Sequence, residues 1–193
     1  MLRSFYRPLC PVTLPFQGRQ RYMHTFDVAD PVMAEGFEDY LDPVKALCEA
    51  AGFTSGIAHM TVDEKTIDAG ASQRRPRPHV DGCYVPAVGG WTHGSWSHEP
   101  SPGPGGPRRM PVIVASSVPG CRVWEGEFEG QPKEDGDLSH ISDQLGAGEV
   151  VPAGVGYLLS PDCVHESMVF DRRVDRSFLR IALPVDFDVR RAA

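Results

Sequence analysis

The chain has 193 residues, of which 41% are hydrophobic and 23% are charged, and its formal net charge is −7. This length predicts one domain, residues 1–193, with a sizeable core, and no apolar run is long enough for a membrane span. The acidic balance disfavours nucleic acid as a partner without excluding it, because residues 72–79, SQRRPRPH, are locally basic.

The five cysteines are scattered along the chain and form no C-x-x-C pair. This spacing indicates neither a disulfide framework nor a zinc knuckle. We therefore expect free thiols in a reducing, cytoplasmic compartment.

The predicted elements begin with residues 1–30, which we expect to form an ordered N-terminal arm across the domain surface. One helix follows, with Asp42 as N-cap, Pro43 in the first turn and Gly52 at the end, and a further helical turn is expected within residues 31–41. Short strand-like runs separated by turn residues then predict an antiparallel sandwich or barrel. The predicted strands are Gly56–Val62, Pro78–Val85, Pro111–Ser116, Arg122–Phe128, Val155–Leu159, Glu166–Phe170 and Ser177–Leu183.

Residues 86–110 are dense in glycine and proline and also carry Trp91, Trp96, His93 and His98. A loop of this length within a compact domain is usually functional or disordered. Because it leaves the predicted strand that contains His79 and Asp81, we predict that it forms an active-site loop, a lid over that strand's polar side chains. The alternative is a surface loop whose tryptophans pack against the domain.

The triplet His79-Val80-Asp81 can present an imidazole and a carboxylate to one point, because residues i and i+2 of a strand share a face. His165 follows 86 residues later, after a predicted turn. Two histidines and one carboxylate that occupy one face of a metal ion are typical of non-haem Fe(II) oxygenases. A Cys/His zinc site that uses Cys83 or Cys163 is an alternative, but neither cysteine has a close cysteine partner.

Two arginines, Arg176 and Arg180, share one face of the last predicted strand with Phe178. A buried guanidinium needs a partner, and a carboxylate that binds in a bidentate manner is a natural one. The alternative is an internal salt bridge, for example from Arg176 to Asp171 or Asp175.

The order H-V-D, then H, then R-x-x-x-R over residues 74–184 resembles the 2-oxoglutarate- and Fe(II)-dependent dioxygenases. The resemblance implies a mainly β, double-stranded β-helix fold of jelly-roll or cupin-like type, with one or two N-terminal helices. It implies that His79, Asp81 and His165 bind Fe(II) and that Arg180 binds the C5 carboxylate of 2-oxoglutarate. Arg176 would then lie near the C1 carboxylate, with Tyr84, Ser177 or Tyr157 as a hydroxyl donor.

The activity that the resemblance implies is hydroxylation of a small-molecule substrate, with O2 consumed and 2-oxoglutarate converted to succinate and CO2. Because Asp81 is present, hydroxylation or desaturation is favoured over halogenation. Two alternatives share part of this pattern. One is a nucleobase- or protein-modifying oxygenase with the same iron core, and the other is a non-redox cupin-type domain that binds a metal or ligand.

Overall fold

The computed structural model describes residues 1–81, 83–85, 90–91, 108–133, 136–184 and 186–189, with the backbone alone for 83–85, 90–91 and 108. Within these residues the protein is mainly β, with antiparallel sheets and one α-helix near the N-terminus. None of the described helices has the length and apolar character that crossing a membrane requires. Most of the predicted 86–110 loop, including Trp96, His93 and His98, lies outside the described residues.

The strands, in chain order, are β1 Leu2–Ser4, β2 Tyr6–Pro11, β3 Gln20–Asp27, β4 Ile57–Ile67, β5 Cys83–Val85, β6 Gly90–Trp91, β7 Arg108–Arg109, β8 Val112–Ser116, β9 Cys121–Trp124, β10 Gly126–Phe128, β11 Glu149–Val150, β12 Val155–Leu159, β13 Val164–Ser167 and β14 Val174–Ala182. Two 3-10 helices, Glu38–Tyr40 and Ser139–Gln144, and helix α1, Leu41–Ala51, complete the described elements.

The largest sheet has six strands in the order β2-β12-β8-β14-β4-β3, and every neighbouring pair is antiparallel. A three-stranded sheet has the order β11-β9-β13, and a second one has the order β6-β5-β7. Strands β1 and β10 form a separate pair. The segment predicted as an N-terminal arm therefore contributes β1, β2 and β3, and the last two form the edges of the six-stranded sheet.

Helix α1 buries Val44, Leu47, Cys48 and Ala51, the face that the spacing of apolar residues predicts. It ends at Gly52, whose φ of 76° is left-handed and whose N–H donates to carbonyls of the last turn. Its start differs from the prediction, because the 3-10 turn before it runs directly into the helix. Tyr40 is consequently the N-cap, and Asp42 lies in the first turn, where the helix dipole favours a carboxylate.

Two hydrophobic cores lie on opposite faces of the six-stranded sheet. On one face, α1 packs against Met60, Ile113, Leu158, Leu179 and Ile181. On the other face, Val112, Val114, Leu159 and Phe178 pack against Cys121 and Val123 of β9. The six-stranded sheet and the β11-β9-β13 sheet therefore pack face to face. Side chains of β14 that alternate with Leu179 and Ile181 point into the space between these sheets.

Packing of α1 on the six-stranded sheet depends on Gly156 of β12. A Cβ atom added there would overlap with the side chain of the fully buried Leu47. We expect Gly156→Ala to lower the free energy of unfolding by about 1–3 kcal/mol, because overpacking forces the helix away from the sheet. Urea denaturation would measure the change.

The matched control is Gly146→Ala, because a Cβ atom at Gly146 would meet no atom within 4 Å. We expect the control to stay within about 0.5 kcal/mol of the wild type, as is usual for surface substitutions. Equal effects of the two alanine substitutions would contradict the close approach of α1 to β12.

Candidate metal site

Three side chains that the sequence predicts as metal ligands lie together. The ligand atoms of His79, Asp81 and His165 all lie within 4.8 Å of one another, and the three residues are buried or nearly so. The imidazole centroids of His79 and His165 are 4.4 Å apart, and His165 Nε2 lies 3.8 Å from an oxygen of Asp81. The predicted triad is therefore a group that could hold a metal ion.

The backbone brings the two histidines together. His79 forms an antiparallel bridge with His165, and the two residues exchange N–H···O bonds of 2.9 and 3.0 Å. Residues that exchange both bonds lie directly opposite each other, so their side chains share a face. His165 is also opposite Val123 of β9, which belongs to the core between the two sheets. Both imidazoles therefore face the six-stranded sheet.

Glu166 follows His165 on β13 and points to the other face, as the alternation of a regular strand predicts. Its carboxylate accepts a 2.9 Å hydrogen bond from Arg122, the residue opposite it on β9. Glu166 is therefore paired away from the triad.

Hydrogen bonds fix the tautomers of both imidazoles. His79 Nδ1 lies 2.6 Å from the carbonyl of Arg77, and His165 Nδ1 lies 2.9 Å from the carbonyl of Cys163. A carbonyl can only accept, so each neutral ring carries its proton on Nδ1 and leaves a lone pair on Nε2. Metal-binding histidines in proteins are commonly oriented in this way.

Burial sets the charges of the triad. It lowers the pKa of His79 well below its usual range and also lowers the pKa of His165, so both rings are neutral near pH 7. Burial alone would raise the pKa of Asp81, but its neighbours together outweigh burial, Arg180 most of all and then His165, His79 and Arg75, so the pKa of Asp81 lies below its ordinary value. The site therefore offers two neutral nitrogen donors and one carboxylate.

Two arginines contact the carboxylate of the triad. Arg180 Nη1 lies 3.3 Å from Asp81 Oδ1, and Arg75 Nη2 lies 4.0 Å from the same oxygen. Arg180 belongs to β14 and lies on the face that is directed toward the β11-β9-β13 sheet. Its Nη2 lies 3.7 Å from the sulfur of Met23. The predicted anion-binding arginine therefore lies beside the triad.

Arg176 occupies a different environment, although it lies on the same strand face as Arg180. It is 1% exposed, donates to the carbonyl of Val118 and the side chain of Gln73, and lies against the rings of Phe170 and Phe178. Burial lowers its pKa to about 10. Its observed hydrogen bonds are internal but go to neutral groups, not to Asp171 or Asp175.

The three candidate hydroxyl donors lie in different places. Ser177 alternates with Arg176 on β14 and donates to the carbonyl of Pro15, on the side of the sheet away from the triad. Tyr157 packs near Tyr6 in the core between the sheets. Tyr84 belongs to β5, and its side chain lies outside the described part of the structure, so its predicted role stays a prediction.

The zinc alternative gains no support from the described residues. Cys163 is buried in the core between the sheets, and burial raises the pKa of its thiol. A neutral thiol in apolar surroundings behaves as a small hydrophobic residue. The side chain of Cys83 lies outside the described residues.

Sequence reasoning missed two residues that adjoin the site. Arg75 could have been found, because it belongs to the basic run that precedes His79. Met23 could not, because it reaches Arg180 from a bulge in β3 where its φ is 53°, an uncommon value outside glycine. Strained backbone of this kind often occurs at functional sites.

The chain matches no protein-family model, and comparisons with curated proteins and with solved structures give no match.

The metal site is tested by titration of the purified protein with Mn(II), a redox-stable probe. We expect His79→Ala and His165→Ala each to weaken Mn(II) binding by at least about a hundredfold, because changes to groups that merely orient a ligand already cost 10–100-fold. Isothermal titration calorimetry would measure the affinities.

His140→Ala is the control, because His140 is an exposed histidine that does not belong to the triad. We expect it to bind Mn(II) as the wild type does. Unchanged Mn(II) affinity in either triad variant would remove that histidine from the site.

Proposed function

We propose that this protein is an Fe(II)- and 2-oxoglutarate-dependent oxygenase that hydroxylates a small molecule. The observation that carries the proposal is the buried group of His79, Asp81 and His165, with both Nε2 lone pairs and the carboxylate converging and Arg180 beside them. Two imidazoles and one carboxylate are the donor set of non-haem Fe(II) oxygenases. Structural zinc sites use a different set, typically with paired cysteines.

The donor set fits Fe(II) in its protonation states as well as in its residue types. Both rings carry their proton on Nδ1, and Asp81 is ionised, so no proton must leave before a metal ion binds near neutral pH. When bound, Fe(II) would supply O2 activation coupled to decarboxylation of 2-oxoglutarate. The protein's part is to hold these ligands and to keep the site between two sheets, away from bulk water.

Charge favours a dianionic co-substrate. Only one carboxylate belongs to the triad, while two guanidinium groups contact it. A divalent cation held by the triad would lie beside both guanidinium groups, and clustered positive charge of this kind attracts an anion such as 2-oxoglutarate.

Arg180 is the residue that we assign to the C5 carboxylate. Its guanidinium lies beside the triad carboxylate, in contact with Asp81 and with the sulfur of Met23. A guanidinium at this position can bind a carboxylate through two hydrogen bonds. Arg176 receives a structural role in this proposal, because its contacts join β14 to Gln73 and Val118.

The proposal also assigns the fold to the double-stranded β-helix class. Its support is the pair of antiparallel sheets that pack face to face, with the triad on the facing side of the smaller sheet. The enclosed position of the triad favours a small-molecule substrate. A nucleobase- or protein-modifying oxygenase would use the same iron core.

A second candidate function is a non-redox metal-binding domain. The 3.3 Å contact between Arg180 and Asp81 favours it, because a guanidinium that only balances the ligand carboxylate needs no co-substrate. The two functions differ in whether the metal-loaded protein binds 2-oxoglutarate.

Arg180→Leu tests this difference in the Mn(II)-loaded protein without O2. We expect it to weaken 2-oxoglutarate binding by about one to three orders of magnitude, because truncation of one partner of a buried charge pair costs 2–5 kcal/mol. Calorimetric titration with 2-oxoglutarate would measure the affinity. Retained Mn(II) binding would show that the triad is intact.

Two comparison variants sharpen the result. Arg173→Leu removes an arginine whose ion pair with Asp68 is on the surface, and we expect wild-type affinity for 2-oxoglutarate. Arg176→Leu should lower the melting temperature, because it removes internal hydrogen bonds, and should weaken 2-oxoglutarate binding less than Arg180→Leu does. Tight binding of 2-oxoglutarate by Arg180→Leu would contradict the assignment, and no binding by the wild type would favour the non-redox domain.

A further inference from the structure

We propose that Met23 is a site of reversible oxidation, at which hydrogen peroxide converts the thioether to a sulfoxide and thereby lowers the affinity of the protein for 2-oxoglutarate. The modification itself depends only on the surroundings of the Met23 sulfur. Its effect on 2-oxoglutarate rests on the proposed function, because it acts through Arg180, the arginine that we assign to the C5 carboxylate.

A bulge in the edge strand β3 directs Met23 toward Arg180. The register between β3 and β4 shifts between Arg21 and His24, and Met23 has a left-handed φ of 53°. A bulge re-aims a side chain, and a non-glycine residue keeps a left-handed conformation only where the surrounding structure holds it there. The backbone therefore sets the position of the Met23 side chain.

The Met23 sulfur contacts two hydrogen-bond donors. It lies 3.7 Å from Arg180 Nη2 and 3.7 Å from the hydroxyl of Thr61, the residue directly opposite Arg180 on β4. The same hydroxyl accepts a 3.3 Å hydrogen bond from the N–H of Met23, and Thr61 is fully buried. The backbone and the side chain of Met23 are thus both held against Thr61.

Exposure and hydrogen bonding distinguish Met23 from the other internal methionines. Met60 and Met110 are buried in the two cores, whereas Met23 is half-buried on an edge strand. Met33 and Met168 are also half-buried, but in the part of the chain that the structure describes no hydrogen-bond donor contacts either sulfur. Met23 therefore combines access for a small oxidant with donors beside its sulfur.

Oxidation adds one oxygen atom to the sulfur. A sulfur lone pair attacks one oxygen of hydrogen peroxide, the O–O bond breaks, and the other oxygen leaves as water after proton transfer. Sulfur is oxidised by two electrons and the peroxide is reduced. The Thr61 hydroxyl, which already contacts the sulfur, can donate a hydrogen bond to the leaving oxygen. We therefore expect Met23 to react faster than Met33 and Met168.

The sulfoxide changes what Arg180 meets. A thioether is a weak acceptor, whereas a sulfoxide is a polar group whose oxygen accepts hydrogen bonds well. From the position of the Met23 sulfur, this oxygen can reach both Arg180 and Thr61, and hydrogen bonds from a guanidinium are strong. The oxygen then competes with the C5 carboxylate for the same guanidinium. Methionine sulfoxide reductases reverse the change.

The test treats the metal-free protein with hydrogen peroxide, since a bound redox metal would add reactions of its own. Catalase then removes the peroxide, dithiothreitol reduces oxidised thiols, and peptide mass spectrometry measures the oxidation of each methionine. The protein is loaded with Mn(II), and calorimetry without O2 measures its affinity for 2-oxoglutarate. We expect one added oxygen at Met23 and binding at least about tenfold weaker than before treatment, because the sulfoxide competes for a charge-assisted hydrogen bond. Methionine sulfoxide reductases should restore the affinity.

Met23→Leu and Met168→Leu are the matched variants, and each is compared with its own untreated sample. Leucine resembles methionine in size but has no sulfur. We expect peroxide to change the affinity of Met23→Leu by less than about twofold, because no sulfoxide can form at position 23. Met168→Leu should lose as much affinity as the wild type. Equal losses in the wild type and Met23→Leu, or oxidation of Met23 no faster than that of Met33 and Met168, would overturn the proposal.

Failure of the proposed function gives a different result. In that case the untreated wild type does not bind 2-oxoglutarate, and the effect on the co-substrate falls with it. The oxidation site is then judged from the mass spectra alone. Faster oxidation of Met23 than of Met33 and Met168 supports the site, and equal or slower oxidation removes it.

Discussion

The antiparallel bridge between His79 and His165 is the constraint on which the candidate site depends. Two backbone hydrogen bonds join residues that are 86 positions apart and place both imidazoles on the same face. The same bridge directs that face toward β14, because His165 also lies opposite Val123 in the core between the sheets. Arg180 meets the triad because the sheets pack in this way.

A buried carboxylate among arginines is the second feature that organises the region. Asp81 would be unfavourable between two sheets without cationic neighbours, and Arg180 and Arg75 supply them. These contacts stabilise the charge of Asp81 before any metal ion is present. They also place two guanidinium groups beside the ligand carboxylate, and this links metal binding to co-substrate binding in the proposed function.

Much of the site could be predicted from the sequence, because strand alternation is a local property. The alternation places His79 with Asp81 and Arg176 with Arg180, and β12 has the bounds that its apolar run predicts. The pairing of His79 with His165 was beyond local rules, since it depends on which strands become neighbours. The same limit explains why the edge strands β2 and β3 were predicted as a surface arm.

Residues with the same local sequence pattern also have different environments in the structure. Arg176 and Arg180 look alike in sequence, yet Arg176 is enclosed by Phe170 and Phe178 and bonded to neutral groups, while Arg180 meets Asp81. The predicted strand Arg122–Phe128 is divided into β9 and β10, and Gly126 has a φ of 149° at the start of β10. Such differences arise from tertiary packing, which decides the partners of each side chain.

The most direct test of the central claim is anomalous diffraction from crystals of this protein soaked with Mn(II) and 2-oxoglutarate. We expect an anomalous peak in contact with Nε2 of His79, Nε2 of His165 and a carboxylate oxygen of Asp81, together with density for 2-oxoglutarate against Arg180. An empty triad with manganese bound elsewhere, or a triad that holds manganese while Arg180 keeps its contact with Asp81 and no 2-oxoglutarate binds, would contradict it.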